Sequence, residues 1–124
     1  MASILLVDDE EEILDFTKFA LEAKGYEVFT AESGQEALRV FQEKRPQLLL
    51  LDYKLEGGMT GLDILKSARA VDPAIPAVVI TGLTEQAEAL KAQCDALGRC
   101  TFLQKPLQMD AVYDAVKKAL DNSP

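Results

Sequence analysis

The chain has 124 residues, the usual size of one domain, and carries a formal net charge of −8. The charge argues against binding nucleic acid through phosphates, and the absence of histidine excludes most zinc sites, histidine general bases and Ser-His-Asp triads. No apolar run approaches the ~20 residues that span a bilayer, and the acid-rich start is unlike a signal peptide. We therefore predict one cytoplasmic domain over residues 1–124, with no membrane segment.

The first half of the chain is predicted to hold three strands and two helices. The buried strand Ser3–Val7 precedes five acids and an amphipathic helix. After a strand at Tyr26–Thr30, Ser33 and Glu36 form a capping-box pattern that starts the second helix. Four leucines then lead to Asp52, and such a run is typical of a strand buried on both faces of a parallel sheet. The predicted apolar face of the first helix is Ile13, Leu14, Phe16, Ala20, Leu21 and Ala23.

The second half continues the alternation. A glycine-containing loop, Tyr53–Thr60, precedes a helix at Gly61–Val71, and the apolar strand Pro76–Ile80 ends at Thr81. A helix at Glu85–Leu97, a short strand and a last helix complete five strand–helix units with short connections. This alternation predicts an α/β fold, (βα)5 and doubly wound, with a five-stranded parallel sheet and helices on both faces. The last strand and helix are predicted at Cys100–Leu103 and Gln108–Leu120, with Met109, Val112, Val116 and Leu120 facing inward.

Reactive side chains lie at the ends of four of the five predicted strands. Each has an ordinary interpretation by itself: acids at a helix start, a turn residue, a helix cap or a solvated lysine. In a flavodoxin-type strand order, 2-1-3-4-5, the carboxyl ends of these four strands border one crevice. We therefore expect the five side chains to converge there. They are Asp8, Asp9, Asp52, Thr81 and Lys105.

Three carboxylates in one crevice predict a bound cation. They repel one another and raise each other's pKa unless a positive charge lies among them. Hard oxygen ligands without histidine favour Mg²⁺, which also binds phosphate oxygens. A carboxylate beside Mg²⁺ can attack a phosphoryl group, while a lysine and a hydroxyl stabilise its oxygens. The pattern therefore favours phosphoryl transfer to Asp52, with Gly82 leaving room for the phosphate.

The chain resembles the receiver domain of two-component response regulators over essentially its full length. The matching motifs are LLVDDE, LLLLD, VVITG and FLQKP at four strand ends. The resemblance implies that Asp52 is the phosphoacceptor, that Thr81 is the switch hydroxyl and that Lys105 contacts the phosphoryl group. It further implies Mg²⁺ ligation by Asp9 directly, by Asp8 through water and by the backbone carbonyl of Lys54, a cis Lys105–Pro106 bond, and a switch aromatic at Phe102.

The resemblance also implies a phosphorylation switch. A histidine kinase or phosphotransfer protein would donate the phosphoryl group. A downstream protein would then bind the face made by the fourth helix, fifth strand and fifth helix, including Tyr113 and Lys117. The domain would assist its own phosphorylation and dephosphorylation without turning over an external substrate, so we do not expect an enzyme. We expect a monomer or a phosphorylation-dependent dimer, either a stand-alone receiver or part of a longer regulator or hybrid kinase, with no output domain in these residues.

Two alternatives belong to other classes. A pseudo-receiver would act only in interaction or dimerisation, and a missing acid or lysine would have favoured it. An aspartate-nucleophile phosphatase usually has a second Asp two residues after the nucleophile, where this chain has Lys54.

The chain departs from the family in two segments. Glu56-Gly57-Gly58 stands where a proline is usual, which makes that loop about one residue longer, and the stretch from Thr81 to Lys105 is slightly long.

The two cysteines, Cys94 and Cys100, are not spaced as CxxC. We expect small, partly buried apolar side chains in a reducing cytosol, and a regulatory thiol pair is the alternative.

Overall fold

The computed structural model describes residues 1–82 and 87–121, in which five strands alternate with five helices. The first residues of the predicted helix Glu85–Leu97 and the last three residues of the chain lie outside the described part. The elements are β1 (Ser3–Val7), α1 (Glu11–Ala23), β2 (Glu27–Ala31), α2 (Gly34–Lys44), β3 (Leu48–Asp52), α3 (Gly61–Arg69), β4 (Ala77–Thr81), α4 (Ala87–Leu97), β5 (Cys100–Gln104) and α5 (Met109–Asp121).

The five strands form one parallel sheet in the order β2-β1-β3-β4-β5, which confirms the predicted fold. Across the sheet, Val7 pairs with Leu51, Leu51 with Val79, and Val79 with Phe102. Because all strands run the same way, their carboxyl ends lie at one edge of the sheet and their amino ends at the other. We call these the carboxyl edge and the amino edge.

The leucine run of β3 lies at the centre of two hydrophobic cores on opposite faces of the sheet. Leu49 and Leu51 pack with residues of α2, α3 and α4, while Leu48 and Leu50 pack with residues of α1 and α5. Successive side chains of a strand point to opposite faces, so a strand covered on both faces must be apolar at every position. All five residues of β3, including Asp52, are buried.

The predicted apolar face of α1 is confirmed at Leu14, Ala20 and Leu21 and is wrong at Phe16 and Ala23. Leu14, Thr17, Ala20 and Leu21 are buried, whereas the predicted Phe16 is 63% exposed. Stripes at helical spacing can be drawn through either set of residues, because α1 has apolar side chains around much of its circumference. The stripe that contains a threonine faces the sheet. Phe19, 75% exposed, and the predicted Ala23 also face solvent.

The last helix packs much as predicted, with a small shift of its buried face. Val112 and Val116 are buried together with Ala115, while the predicted Met109 and Leu120 are only partly buried. On the same helix, Lys117 is exposed, but Tyr113 is partly buried, with Lys24 Nζ 4.8 Å from its ring centroid.

Arg69, the last residue of α3, binds backbone carbonyls at the amino edge. Its guanidinium donates to the carbonyl oxygens of Leu97, the last residue of α4, and of Gly98 and Arg99, which follow it. It also donates to Ile75 O from Nε at 3.1 Å and from Nη2 at 3.0 Å. Burial is the main cause that lowers the pKa of Arg69, followed by the nearby Arg99. One arginine thus satisfies carbonyl groups that α4 cannot satisfy itself.

The two cysteines form a disulfide between α4 and β5. Our expectation of two unlinked apolar side chains is therefore wrong. The spacing excluded a CxxC motif, but the tight turn through Gly98 and Arg99, both with positive φ, brings the two Cα atoms to 5.3 Å. That separation lies within the range a disulfide spans.

Across the described ranges 1–82 and 87–121, no helix combines the length and the apolar character that a bilayer crossing requires.

Candidate functional site

A cleft of about 400 Å³ opens at the carboxyl edge of the sheet. It lies beyond β1, β3, β4 and β5, where the strand order predicts a ligand site. The structure therefore brings together residues from four separate parts of the chain. The lining residues are Asp9, Glu10, Asp52, Lys54, Leu55, Glu56, Thr81, Gly82 and Lys105.

Three carboxylates cluster at this edge. Asp8 and Asp9 follow β1 and Asp52 ends β3, and one carboxylate oxygen from each lies within 4.8 Å of the others. Asp8 is 5% exposed and Asp52 is 7% exposed. Such a group is unfavourable by itself, because burial and mutual repulsion both oppose ionisation.

The pKa values of the two buried acids show this cost. Burial, followed by the charge of Asp8, raises the pKa of Asp52 to about 6, and the charge of Lys105 opposes the rise. Burial also raises the pKa of Asp8, although the backbone N–H of Glu10 donates to Asp8 Oδ1 at 2.8 Å and acts in the opposite direction. At neutral pH the cleft therefore holds carboxylates that a cation would stabilise.

Lys105 provides a positive charge from the opposite side of the cleft. Its Nζ lies 3.5 Å from Asp52 Oδ2, and its backbone N–H donates to Thr81 O at 2.8 Å. The Lys105–Pro106 peptide bond is cis. The contact at 3.5 Å is long for an ion pair of this kind, so Lys105 balances only part of the acidic charge.

Thr81 and Gly82 form the wall of the cleft after β4. Thr81 is 1% exposed and pairs with Gln104 of β5 in the sheet. A Cβ added to Gly82 would meet nothing closer than the Lys105 side chain, at 3.6 Å from Cδ. Phe102 does not line the cleft: it is partly buried against the core on the α4 side of the sheet.

The loop after Asp52 closes on itself. Lys54 forms an isolated antiparallel bridge with Thr60, and Gly57 and Gly58 have φ of +92° and +89°. Residues other than glycine rarely adopt such angles, so the glycine pair permits the turn of this loop. Lys54 thereby lies at the rim of the cleft. The role predicted for it there is Mg²⁺ ligation by its backbone carbonyl.

Two close contacts hold this loop against the rest of the domain. A Cβ added at Gly61 would lie 2.6 Å from the backbone oxygen of Asp52, so only glycine permits this approach. Met59 lies against Gly34, the first residue of α2, where an added Cβ would overlap Met59 Sδ.

The acidic cluster fits a hard divalent cation. Mg²⁺ takes one or two carboxylates, keeps several waters and shares phosphate oxygens. Asp8, Asp9 and Asp52 supply the carboxylates, and the cleft has room for a phosphoryl group beside them. The charge of such a cation would favour the ionised form of Asp52, whose pKa burial raises to about 6.

The sequence analysis missed three residues of the cleft: Glu10, Leu55 and Glu56. Glu10 directly follows Asp9, so the run of acids was its only signal. Leu55 and Glu56 lie in the loop after β3, whose path the sequence did not indicate. Their place depends on the Lys54–Thr60 bridge, which has no short sequence pattern.

Comparison with known proteins places this site in a family. The response regulator receiver domain matches residues 4–117. Sporulation initiation phosphotransferase F of Bacillus subtilis strain 168 is 36% identical over 117 residues, covering 94% of this chain and 92% of that protein. Transcriptional regulatory protein GlrR of Escherichia coli K12 is 34% identical over 122 residues, 98% of this chain, and the chain spans only 27% of its length.

Solved structures agree with the sequence comparisons. A response regulator receiver domain protein from Clostridium thermocellum superimposes with a TM-score of 0.86 and 32% identity, over 98% of this chain and 95% of that one. The response regulator TrrA of Thermotoga maritima, solved in complex with Mg²⁺ and BeF, gives a TM-score of 0.83 and 30% identity, over 97% of this chain and 100% of that one. The chain therefore belongs to the response regulator receiver domain family.

Proposed function

We propose that this domain accepts a phosphoryl group on Asp52 with the help of Mg²⁺ and thereby switches a protein-binding face. The observation that carries the proposal is the cluster of Asp8, Asp9 and Asp52, of which Asp8 and Asp52 are buried, with Lys105 opposite. Every part of this arrangement has a use in phosphoryl transfer. A pseudo-receiver would be expected to lack one of the acids or the lysine, and this chain has them all.

The acids near β1 hold the cation in this proposal. Asp9 would bind Mg²⁺ directly, Asp8 would bind it largely through water, and the Lys54 backbone carbonyl would contribute from the loop. Bound Mg²⁺ supplies positive charge beside the transferring phosphoryl oxygens. The same charge favours the ionised form of Asp52, which is the form that attacks.

Asp52 is the nucleophile. One of its carboxylate oxygens attacks the phosphorus of a phosphohistidine, and the bond from phosphorus to the donor nitrogen breaks. Lys105 Nζ, now 3.5 Å from Asp52 Oδ2, pairs with a phosphoryl oxygen, and the Thr81 hydroxyl donates to another. The domain thus assists its own phosphorylation, with no turnover of an external substrate.

The switch follows from where these groups lie in the chain. Thr81 ends β4 and leads towards α4, while Lys105 follows β5. Drawing both towards the phosphate changes the surface of α4, β5 and α5, and Phe102 turns into space that Thr81 leaves. This is a population shift between two arrangements of one fold. A downstream protein that binds one arrangement better is the partner of this face, and a phosphorylation-dependent dimer is one form of it.

A histidine kinase or a histidine phosphotransfer protein is the proposed donor. The support is membership of the receiver family and the similarity to sporulation phosphotransferase F. We propose that the domain acts in the cytoplasm, as the sequence predicts.

The test is binding of beryllofluoride, which mimics a phosphoryl group, and labelling by acetyl phosphate. Wild type is expected to bind beryllofluoride and take label only with Mg²⁺. Asp52→Asn is expected to do neither, because it lacks the attacking oxygen. Asp15→Asn is the matched control, since Asp15 is an exposed acid of α1 outside the cleft. Wild type without label and without Mg²⁺ dependence would overturn the proposal.

A further inference from the structure

The disulfide joins two elements that both lead to the proposed phosphoryl site. Cys94 is fully buried in the second half of α4, and Cys100 is the partly exposed first residue of β5. The bond lies near the amino edge, at the opposite end of β5 from Lys105. It closes a loop with a sequence separation of 6.

The described part of α4 buries few side chains against the sheet. Among its residues 87–97, only Leu90 and Cys94 are buried. The helix α3 buries Gly61, Leu62, Ile64, Leu65 and Ala68 within 9 residues. A helix with few buried contacts unfolds locally at a lower free-energy cost than the rest of a domain. The covalent bond from Cys94 is therefore a large part of what positions α4.

The bond also couples the two segments that must move in the proposed switch. From Thr81 the chain runs into α4, and from β5 it runs into Lys105. With α4 and β5 linked at their far ends, a movement at the cleft cannot slide one along the other. Arg69 donates to the carbonyl oxygens of Leu97 and Gly98 at the same edge. In the oxidised domain, both these hydrogen bonds and the disulfide therefore hold the end of α4.

We propose that Cys94–Cys100 is a reversible redox site that sets how readily phosphorylation at Asp52 shifts α4 and β5. This inference rests on the proposed function. Oxidised, the bond holds the arrangement of the unphosphorylated domain. Reduced, it releases α4, and the phosphorylated arrangement costs less. The cytoplasm that the sequence predicts supports reversibility, because disulfides there are generally transient and redox-sensing.

The reductant is a dithiol, small or protein-borne. Its thiolate attacks Cys100 Sγ, because Cys100 is the partly exposed partner. The sulfur–sulfur bond breaks, and Cys94 leaves as a thiolate that takes a proton. The second thiol of the dithiol then attacks the mixed disulfide and releases Cys100, which is also protonated. Two electrons pass from the dithiol, which ends as a disulfide, to the two cysteines.

The experiment compares oxidised and reduced wild-type protein in Mg²⁺. Oxidation uses glutathione disulfide and reduction uses dithiothreitol, with the state of each sample set by free-thiol titration and intact mass. We expect reduction to raise the affinity for beryllofluoride at least about fivefold, the lower end of common allosteric couplings. We also expect faster amide hydrogen exchange across residues 87–97 in the reduced sample.

Cys100→Ser is the matched variant, because it removes the bond while leaving the buried Cys94 in the core. It should show the reduced-state affinity and exchange in both buffers. Two free thiols after oxidation, or equal affinity and exchange in both redox states, would overturn the inference and leave the proposed function standing. Loss of beryllofluoride binding in both states, with faster exchange on reduction, would overturn the proposed function and the coupling to it, but not the redox site.

Discussion

The two edges of the sheet are built on opposite principles. At the carboxyl edge, Asp8 and Asp52 are buried beside other negative charges, and Lys105 Nζ lies 3.5 Å from Asp52 Oδ2. At the amino edge, Arg69 donates to four backbone carbonyls, and the disulfide lies close by. One edge holds unfavourable charge, while the other satisfies its polar groups.

This difference shows where the domain gives up stability for function. In the proposed function, Mg²⁺ would offset the negative charge that is unfavourable in the free domain, and this would favour binding of the cation and the phosphoryl group there. The amino edge has no such cleft of acids in the described residues and anchors the helices. Removing a polar contact at the amino edge should therefore destabilise the domain, whereas removing an acidic charge at the carboxyl edge can stabilise it.

The largest expected effect comes from Arg69→Met, which keeps the apolar stem but removes every guanidinium donor. Carbonyls of Ile75, Leu97 and Gly98 would lose their partner in a partly buried place. We expect a loss of roughly 3 kcal/mol in the free energy of unfolding, measured by urea denaturation. Arg39→Met is the control: Arg39 is exposed and only pairs with Glu36 and Glu43, so its loss should cost less than about 0.5 kcal/mol. Equal losses would refute the role given to Arg69.

Gly61→Ala tests the close approach of the loop to β3. The added Cβ would lie 2.6 Å from the Asp52 backbone oxygen, and the strand cannot shift without moving the Asp52 carboxylate. We expect between about 2 and 3 kcal/mol of destabilisation by urea denaturation. Gly82→Ala is the comparison at the same edge, where the nearest atom is 3.6 Å away. A cost for Gly82→Ala equal to that of Gly61→Ala would contradict this account.

Asp52→Asn is expected to stabilise the domain at neutral pH when no divalent cation is present. The pKa of Asp52 is raised from 3.8 to about 6, so between these values the folded state binds more protons than the unfolded state. Stability therefore falls as pH rises through this window, and the deficit is complete above pH 6. Allowing for water in the cleft, we expect it to reach about 2 kcal/mol.

The measurement is urea denaturation of both proteins with a chelator from pH 4 to 7.5. The advantage of Asp52→Asn should grow with pH, since wild type alone carries the Asp52 charge. Adding Mg²⁺ should shrink it, because the cation binds the folded wild type. An advantage that decreases as pH rises would have the wrong sign.

The smallest effect concerns helix capping at the carboxyl edge. Thr60 Oγ1 accepts from the Asp63 backbone N–H at 3.2 Å, and the Asp63 carboxylate accepts from the Thr60 N–H at 2.9 Å. Thr60→Ala should cost about 1 kcal/mol in thermal or urea unfolding. Ser33→Ala, at the start of α2, should cost slightly less, because the Glu36 carboxylate binds Glu32 N–H rather than closing a box with Ser33. The reverse order would contradict this comparison.

The sheet and the cluster of acids were predictable because they depend on short residue patterns that can be recognised directly in the sequence. Apolar strands ending in reactive residues, with short connections, leave few topologies. The exposure of Phe16 in α1 was not predictable, because Phe16 and Leu14 both lie on plausible apolar stripes and only packing against the sheet selects one.

The amino edge was predicted least well, for a physical reason. The role of Arg69 depends on carbonyls from a segment 28 to 30 residues away, and carbonyl groups have no sequence signature. The disulfide depends on a turn that includes Arg99 with φ of +48°. An arginine in the sequence does not predict this backbone angle.

The contact between Met59 and Gly34 connects the loop after Asp52 to the start of α2. The side chain at position 59 occupies the space that any side chain at position 34 would need. The volumes at the two positions are thus exchangeable: a lineage can enlarge residue 34 if residue 59 becomes small. Among relatives with a loop of this length, we expect these two positions to covary in size, although 25 residues separate them in the sequence.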